Sequence, residues 1–280
     1  MSEASRRVGC AAWMFAVLLA LPARVGAETV FLEELTSTEL RARIDRGTTT
    51  VLLPIGGTEQ NGAHLTLGKH NQRSRVLAAR IAERLGHAVV APVIAYVPEG
   101  AIDPPSQHMR WTGTISVPEP VFEATLEAAA RSFRQHGFAQ VVLLGDHGGY
   151  QGAMQRAADR VNRDASSRRS FRVVALRQYY HAATTDFAAM LRADGYGDAE
   201  IGQHAGLADT ALAWAADASL VRAQALAAPP GDGVSGVPRR ATAALGARGL
   251  DHIVETSVSA IRRLPALDTA TQRTQQRGTR

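Results

Sequence analysis

The feature that most constrains the fold is the stretch 51–71, VLLPIGGTEQNGAHLTLGKHN, where an apolar run leads directly into charged and polar side chains. The run at 51–53 is typical of a buried strand, and Glu59, His64 and His70 follow it closely. In open α/β sheets, ligands bind beyond the carboxyl ends of the strands. Carboxylate and imidazole groups are common ligands of divalent metals. The stretch therefore indicates either a metal-binding loop at a sheet edge or an ordinary polar loop with two surface histidines.

Apolar runs that predict strands alternate with apolar repeats that predict helices along the rest of the chain. This alternation favours an α/β fold with a mainly parallel sheet. We expect one domain over 28–264, followed by a polar, disordered tail over 265–280. The predicted strands are 51–53, 89–93, 138–144 and 171–176, and the predicted helices are 36–44, 72–85, 118–135, 151–163, 182–193, 203–216 and 241–264.

The first 27 residues have the pattern of a secretory signal peptide. An arginine pair at 6–7 precedes an apolar run at 10–21, and the small residues at 25–27 fit a cleavage site. The run is short for a membrane span, so an uncleaved anchor is the weaker alternative. We expect cleavage after residue 27, with export by either the Sec or the Tat route. The mature protein is then expected to be periplasmic or secreted and not held in a membrane. Cleavage would remove Cys10, the only cysteine, and exclude thiol and disulfide chemistry from the mature chain.

The charge pattern argues against nucleic acid as a partner. The chain has 31 basic and 26 acidic residues, and Lys69 is the only lysine among the basic ones. The arginines are scattered, and no basic block is interleaved with aromatic residues. We interpret the charge as a solvated surface.

Three loops carry candidate metal ligands at strand ends, along one edge of the predicted sheet. The first is the loop that contains Glu59, the second is GDHGG at 145–149 with His147, and the third runs from His204 to Asp209. The glycines around His147 allow the backbone to approach a ligand closely. A histidine bonded to its own loop is the alternative for His147, but three donor-bearing loops at one edge favour a ligand.

With these motifs, the chain resembles the creatininase family of creatinine amidohydrolases and their relatives. Four segments match the family pattern in order: GGTEQNGAHLTLGKH at 56–70, TGTIS at 112–116, GDHGG at 145–149 and HAGLADT at 204–210. The resemblance covers about 35–264. It implies a three-layer α/β/α sandwich with a mainly parallel sheet, a divalent metal site, hydrolysis of a non-peptide or cyclic C–N bond, and a homo-oligomer, commonly a hexamer.

The resemblance also implies a ligand set and shows where this chain departs from the family. Creatinine-hydrolysing members bind two metals, but His70 replaces the aspartate that bridges them. Asn61 and Gly149 stand where the second metal has other ligands, and neither is a good ligand for zinc. We therefore expect one ion, with zinc favoured and manganese or iron as alternatives. The expected metal ligands are Glu59, His70, His147 and Asp209.

The same resemblance assigns catalytic and substrate-binding roles. His204 is expected to be the general acid that protonates the leaving nitrogen, with a locally bonded histidine as the alternative. Asp209 is expected to be a fourth ligand or to hold the attacking water, and Asp146 to orient a histidine. The expected substrate contacts are His64, His108, Trp111 and Tyr150, for each of which simple packing or solvent exposure is the alternative.

Together these observations predict an exported, metal-dependent amidohydrolase in which a metal-activated water cleaves a C–N bond of a small amide, cyclic or linear. The alternative is a non-catalytic protein on the same fold that binds a small molecule or a metal, because three replaced positions at one metal cluster would suit lost catalysis. Gln203 replaces an acidic residue that creatinine-hydrolysing members have beside the active-site histidine. Creatinine itself is therefore not the expected substrate.

Overall fold

The computed structural model describes residues 28–163, 170–229, 231 and 233–267. The predicted signal peptide at 1–27 and residues 268–280 of the predicted tail lie outside this part of the chain. Within the described ranges, no helix is both long and apolar enough to span a bilayer.

Parallel strands form the sheet at the centre of the fold. The described strands are β1 (Thr50–Ile55), β2 (Ala88–Val90), β3 (Gln140–Gly145) and β4 (Arg172–Ala175). Their order in the sheet is β2-β1-β3-β4. Every residue of β1 and β3 is buried, as expected for strands that helices cover on both faces.

Helices pack on both faces of this sheet. The described helices are α1 (Ser37–Asp45), α2 (Lys69–Leu85), α3 (Glu119–Gln135), α4 (Gln151–Asn162), α5 (Arg177–His181), α6 (Phe187–Ala193), α7 (Asp198–Ile201), α8 (Leu207–Ala216) and α9 (Ala243–Arg262), and a π-helical turn at Ala182–Asp186 joins α5 to α6.

The alternation of side chains along β1 separates two hydrophobic clusters. Leu52 belongs to a cluster with α2, α8 and α9 on one face of the sheet. Val51 and Leu53 belong to the cluster with α3 and α4 on the other face. The predicted three-layer α/β/α fold with a parallel sheet is therefore confirmed.

Strand β1 continues through Pro54 to Ile55, beyond the predicted end at residue 53. The carbonyl of Pro54 accepts a hydrogen bond from the N–H of Ile94, beyond the end of β2. Strand β2 has already ended at Val90, so the missing N–H of Pro54 breaks no hydrogen bond between β1 and β2. The strand therefore reaches Ile55 and carries the following loop further out.

Two helix boundaries also differ from prediction in ways that affect the site. Helix α2 begins at Lys69, three residues earlier than predicted, so Lys69 and His70 belong to its first turn. Helix α8 begins at Leu207, which leaves His204 in the preceding loop. Helix α1 is capped by Thr36, which forms a reciprocal capping box with Glu39.

The strand order creates a crevice at the carboxyl ends of β1 and β3. The chain leaves β1 for β2 on one side, and β3 lies on the other side of β1. At such a switch point the two loops diverge and leave space for a ligand. The loop after β1 carries Glu59 and the loop after β3 carries His147, so the fold brings the predicted donor loops together.

Candidate metal centre

Four side chains around the crevice form a group with the geometry of a metal site. Each of them offers one ligand atom, and these atoms all lie within 4.8 Å of one another. Glu59 and Glu99 are 0% and 1% exposed, whereas the two histidines are half-buried. The members are Glu59, Glu99, His108 and His147, which we call the metal group.

The metal group contains buried polar atoms that no protein group satisfies. Oε2 of Glu59, both carboxylate oxygens of Glu99 and Nδ1 of His108 are buried without a hydrogen-bond partner. Leaving such atoms unsatisfied is costly, so they call for a ligand. Burial, together with the nearby charge of Glu59, raises the pKa of Glu99 to about 8. Two carboxylates and two imidazoles fit a divalent ion such as zinc or manganese.

The two histidines of the metal group are in the state that binds metals. Burial lowers the pKa of His147 to about 3, and it also lowers the pKa of His108. Both imidazoles are therefore neutral near pH 7 and keep a lone pair for an ion. His108 lies 3.4 Å and His147 lies 3.6 Å from Oε2 of Glu59, measured from the Nε2 atoms.

Glu99 reaches the site because Gly57 has no side chain. A Cβ atom on Gly57 would lie 2.6 Å from Oε1 of Glu99, and the backbone there has a φ of +151°. The N–H of Glu99 is bonded to the hydroxyl of Ser116, which also donates to the carbonyl of Gly100. These contacts fix an otherwise irregular loop beside β1.

His70 lies next to the metal group, but carboxylates occupy both of its nitrogens. Nδ1 lies 2.6 Å from Oδ2 of Asp146, and Nε2 lies 2.8 Å from Oε1 of Glu59. Burial by itself would lower the pKa of His70, but the two carboxylates outweigh it and the pKa is raised. With a carboxylate oxygen at each nitrogen, His70 has no nitrogen turned towards the metal group. The structure thus places His70 behind Glu59, outside the metal group to which the sequence analysis assigned it.

Asp209, the fourth ligand expected from the sequence, is held by cations. Its Oδ1 accepts from Arg73 at 2.6 Å, and its Oδ2 contacts the ammonium of Lys69 and accepts from the N–H of Ala205 at 3.0 Å. Although burial opposes ionisation, Lys69 and Arg73 lower the pKa of Asp209 well below its usual range. The carboxylate is therefore ionised and engaged, and it does not belong to the metal group.

His204 faces the metal group from the third loop. Its Nε2 lies 2.9 Å from the carbonyl of Gln60, and its Nδ1 lies 3.7 Å from Oε1 of Glu59. Burial lowers its pKa to about 4, so the ring is neutral near pH 7. Because a carbonyl only accepts, the proton is on Nε2 and the lone pair of Nδ1 faces the site. The ring of His108 lies 4.4 Å away, between centroids.

Two residues predicted to contact the substrate instead hold loops in place. Tyr150 is fully buried, and its hydroxyl accepts from the N–H groups of Asp146 and His147 while facing the carbonyls of Ile55 and Gly56. His64 is also buried, with Nε2 2.9 Å from the carbonyl of Ala205. Tyr150 thus holds the His147 loop, and His64 holds the loop of His204.

Trp111, which was predicted to contact the substrate, lies beside His108 of the metal group. It is half-buried, and its ring centroid lies 6.3 Å from that of His108. Gly233 packs so close to Trp111 and Gln60 that a Cβ atom would lie 2.9 Å from the indole and 2.4 Å from the amide nitrogen. Trp111 is therefore positioned to contact a molecule bound at the metal group.

Glu99 was not predicted from the sequence, and His108 was predicted only as a substrate contact. The signal for Glu99 was its place between Pro98 and Gly100, in an irregular segment that follows β2 and so begins at the same edge of the sheet. A buried carboxylate in such a segment has no periodic pattern to identify it. The signal for His108 was stronger, because histidine and tryptophan stand close together in that segment.

Comparisons with known proteins agree with this architecture. The creatininase family model, described as creatinine amidohydrolase, matches residues 33–261. A solved structure of creatinine amidohydrolase superposes with a TM-score of 0.70 at 24% identity, covering 86% of this chain and all of the other. A creatininase named as a manganese form gives a TM-score of 0.69 at 25% identity, covering 84% of this chain and 98% of the other. Another creatininase variant of similar likeness is named as a Zn-Zn type.

Two relatives have names that specify different reactions. The creatinine amidohydrolase of Pseudomonas putida is 29% identical over 46% of this chain and 48% of its own length. The mycofactocin precursor peptide peptidase of Mycolicibacterium smegmatis is 32% identical over 38% of this chain and 42% of its own length. The chain thus matches less than half the length of each of these relatives.

Proposed function

Since the chain belongs to the creatininase family, we propose that it is a metal-dependent amidohydrolase that cleaves the C–N bond of a small amide. The observation that carries this proposal is the metal group, in which buried carboxylate oxygens without partners face neutral imidazoles. The relatives named as manganese and zinc forms support a divalent ion of this kind. A chain that had lost the metal would have no physical reason to keep these atoms buried and unsatisfied.

The four side chains of the metal group would hold the ion. When bound, a divalent ion supplies Lewis acidity, which polarises an amide carbonyl and activates water as a nucleophile. Glu59 is fixed for this role because its other oxygen, Oε1, is bonded to His70 and lies 3.3 Å from Lys69. The charges of Lys69 and His70 hold the pKa of Glu59 far below its usual range despite its burial, so Glu59 is available as an anion.

His204 would move the proton. With its proton on Nε2 held by Gln60, the free Nδ1 accepts a proton from the attacking water. The same Nδ1 then donates that proton to the leaving nitrogen, which is the general-acid role that the sequence predicted. Asp209 would act on the position of His204, because its carboxylate holds the N–H of Ala205 next to that histidine.

The substrate would bind between His108, Trp111 and His204, with its carbonyl towards the metal group. We propose a small amide, cyclic or linear, rather than creatinine itself, because Gln203 replaces the acidic residue expected there. The similarity to a peptidase acting on a precursor peptide favours a peptide C–N bond as the second candidate. Both classes present the same carbonyl and leaving nitrogen to the site.

The direct test combines metal analysis with a substrate screen on protein purified from its own host. The screen contains creatinine, cyclic amides, linear amides and short peptides. We expect turnover of a small amide, its loss on dialysis against a chelator, and its recovery with zinc or manganese. Glu99→Gln should lose both metal and activity, whereas His204→Asn should keep the metal and lose activity. Bound metal without any turnover would favour the non-catalytic binding protein instead.

We also propose that the protein is exported and assembles as a homo-oligomer. The pattern at 1–27 supports export, and the family resemblance supports assembly, commonly as a hexamer. Mass spectrometry of protein from the cell envelope should find Glu28 at the N-terminus, and an intact mass from Met1 would contradict export. Light scattering should give a mass several times that of one chain, and a stable monomer at micromolar concentration would contradict assembly.

A further inference from the structure

The ammonium of Lys69 is enclosed beside the metal group. Its side chain is 0% exposed; Nζ lies 3.3 Å from Oε1 of Glu59 and contacts Oδ2 of Asp209. The residue is in the first turn of α2, where the helix dipole disfavours a positive charge. Burying an ammonium is costly unless anions surround it. Glu59 and Asp209 therefore offset two costs, the burial of the ammonium and its position at the N-terminus of α2. A neutral side chain at this position would carry neither cost.

The two oxygens of the Glu59 carboxylate face different groups. Its Oε2 faces His108 and His147 of the metal group and has no hydrogen-bond partner. Its Oε1 faces the ammonium of Lys69 and Nε2 of His70. One oxygen is thus free for an ion, and the other is already neutralised by protein cations.

The side of the site towards Asp209 is already occupied by basic side chains of the protein. Lys69 lies against Glu59 and Asp209. Arg73 lies against Asp146 and Asp209. Only the side of Glu59 that faces Glu99, His108 and His147 is therefore left for an ion.

We propose that Lys69 is a built-in cation that occupies the space between Glu59 and Asp209 and thereby limits the centre to one divalent ion. This inference rests on the proposed function in that the metal group binds an ion. The ammonium fills the space between the two carboxylates, so a second ion cannot enter it. A divalent ion bound next to the ammonium would be strongly repelled. Because the ammonium is attached to the chain, its local concentration exceeds that of any free ion.

Removing the ammonium leaves a donor set of its own. Oε1 of Glu59 and Oδ2 of Asp209 lose their shared cation. Nδ1 of His204 lies 3.7 Å from the same Oε1 and offers a lone pair. Two carboxylates and an imidazole are a usual set for zinc. The space would therefore bind a second ion once the lysine is replaced by a small side chain.

The test measures bound zinc per chain after dialysis, by plasma emission spectroscopy, in four forms of the full protein. These are the wild type, Lys69→Ala, Lys69→Arg and Arg84→Ala. Arg84 is an exposed residue of the same helix, so its variant controls for the loss of one positive charge. We expect two ions in Lys69→Ala and one in each of the other three. The double variant Lys69→Ala with Asp209→Asn should return to one ion, which would place the second ion at Asp209.

Thermal melting with and without zinc shows whether each variant is folded, and Lys69→Ser replaces the alanine variant if that one aggregates. Two ions in the wild type would overturn the inference, and so would one ion in a folded Lys69→Ala or Lys69→Ser variant. The wild type would still bind one ion in the second case, so the proposed function would stand. No zinc in any form would overturn the proposed function, and the inference with it.

Discussion

Replacing Glu99 with glutamine should stabilise the metal-free protein, although it removes a ligand. Both oxygens of Glu99 are buried without a donor, and burial beside Glu59 raises the pKa from 4.5 to about 8. Above pH 4.5 the unfolded chain releases this proton, whereas the folded chain keeps it until about pH 8. The folded state thus binds more protons than the unfolded state in this window, and stability falls as pH rises through it. Glutamine has nearly the same shape and no charge, so it removes this loss.

The size of the effect follows from the width of the window. Where the folded state binds one more proton than the unfolded state, the free energy of unfolding falls by about 1.4 kcal/mol for each pH unit. Between pH 5 and pH 8 the window is about three units wide, so the difference in unfolding free energy between Glu99→Gln and the wild type should grow by about 4 kcal/mol. Titrating groups away from Glu99 are common to both proteins and cancel in this comparison. Glu59 stays ionised throughout the window, because Lys69 and His70 hold its pKa far below its usual range.

The assay is urea unfolding of chelator-treated wild type and Glu99→Gln at pH 5 and pH 8. Glu83→Gln, on the exposed side of α2, is the matched control and should follow the wild type at both pH values. Added zinc should stabilise the wild type and leave Glu99→Gln unchanged. An identical pH dependence in the wild type and in Glu99→Gln would refute the argument that Glu99 is buried for a metal.

Two further substitutions separate positioning residues from reacting ones. Tyr150→Phe leaves the N–H of His147 without its acceptor and removes the hydroxyl that faces the carbonyl of Gly56. The N–H of Asp146 keeps the carbonyl of Ile55 as an acceptor. Urea unfolding should therefore show a loss of about 1–3 kcal/mol. The control Tyr96→Phe changes an exposed tyrosine and should alter the free energy of unfolding by less than about 0.5 kcal/mol. If Tyr150→Phe has an equally small effect on stability but raises KM, Tyr150 contacts the substrate instead. His204→Asn should lower kcat by about 100-fold or more without changing the zinc content. A variant that lost zinc would show that His204 is a ligand, and one with normal kcat would remove its proton-transfer role.

The fold was predictable because its sequence signals are local. Apolar runs of strand length alternate with helical repeats, and this alternation alone indicates a parallel sheet with helices on both faces. The predicted ends of helices and strands were wrong where tertiary contacts determine them. The first turn of α2, which begins at Lys69, is buried against carboxylates and not against apolar groups. The apolar repeat that predicts the helix therefore begins only after this turn. Pro54 remains in β1 because β2 has already ended beside it.

The candidate site was predictable in its location and only partly in its members. The loops of Glu59 and His147 are visible in the sequence because they follow strands. His70 stands at a ligand position of the family pattern, but its two nitrogens face Asp146 and Glu59, contacts that linear order does not reveal. Glu99 reaches the site through the missing side chain of Gly57, which lies far from it in the sequence. Residues brought together by such long-range packing have no pattern in the sequence.

The most direct test of the metal centre is a crystal structure of the zinc-loaded protein with anomalous data at the zinc edge. One anomalous peak should lie among Glu59, Glu99, His108 and His147, with His70 still bonded to Asp146. A peak bound by His70 and Asp209, or no peak among the four residues of the metal group in zinc-loaded crystals, would contradict this assignment.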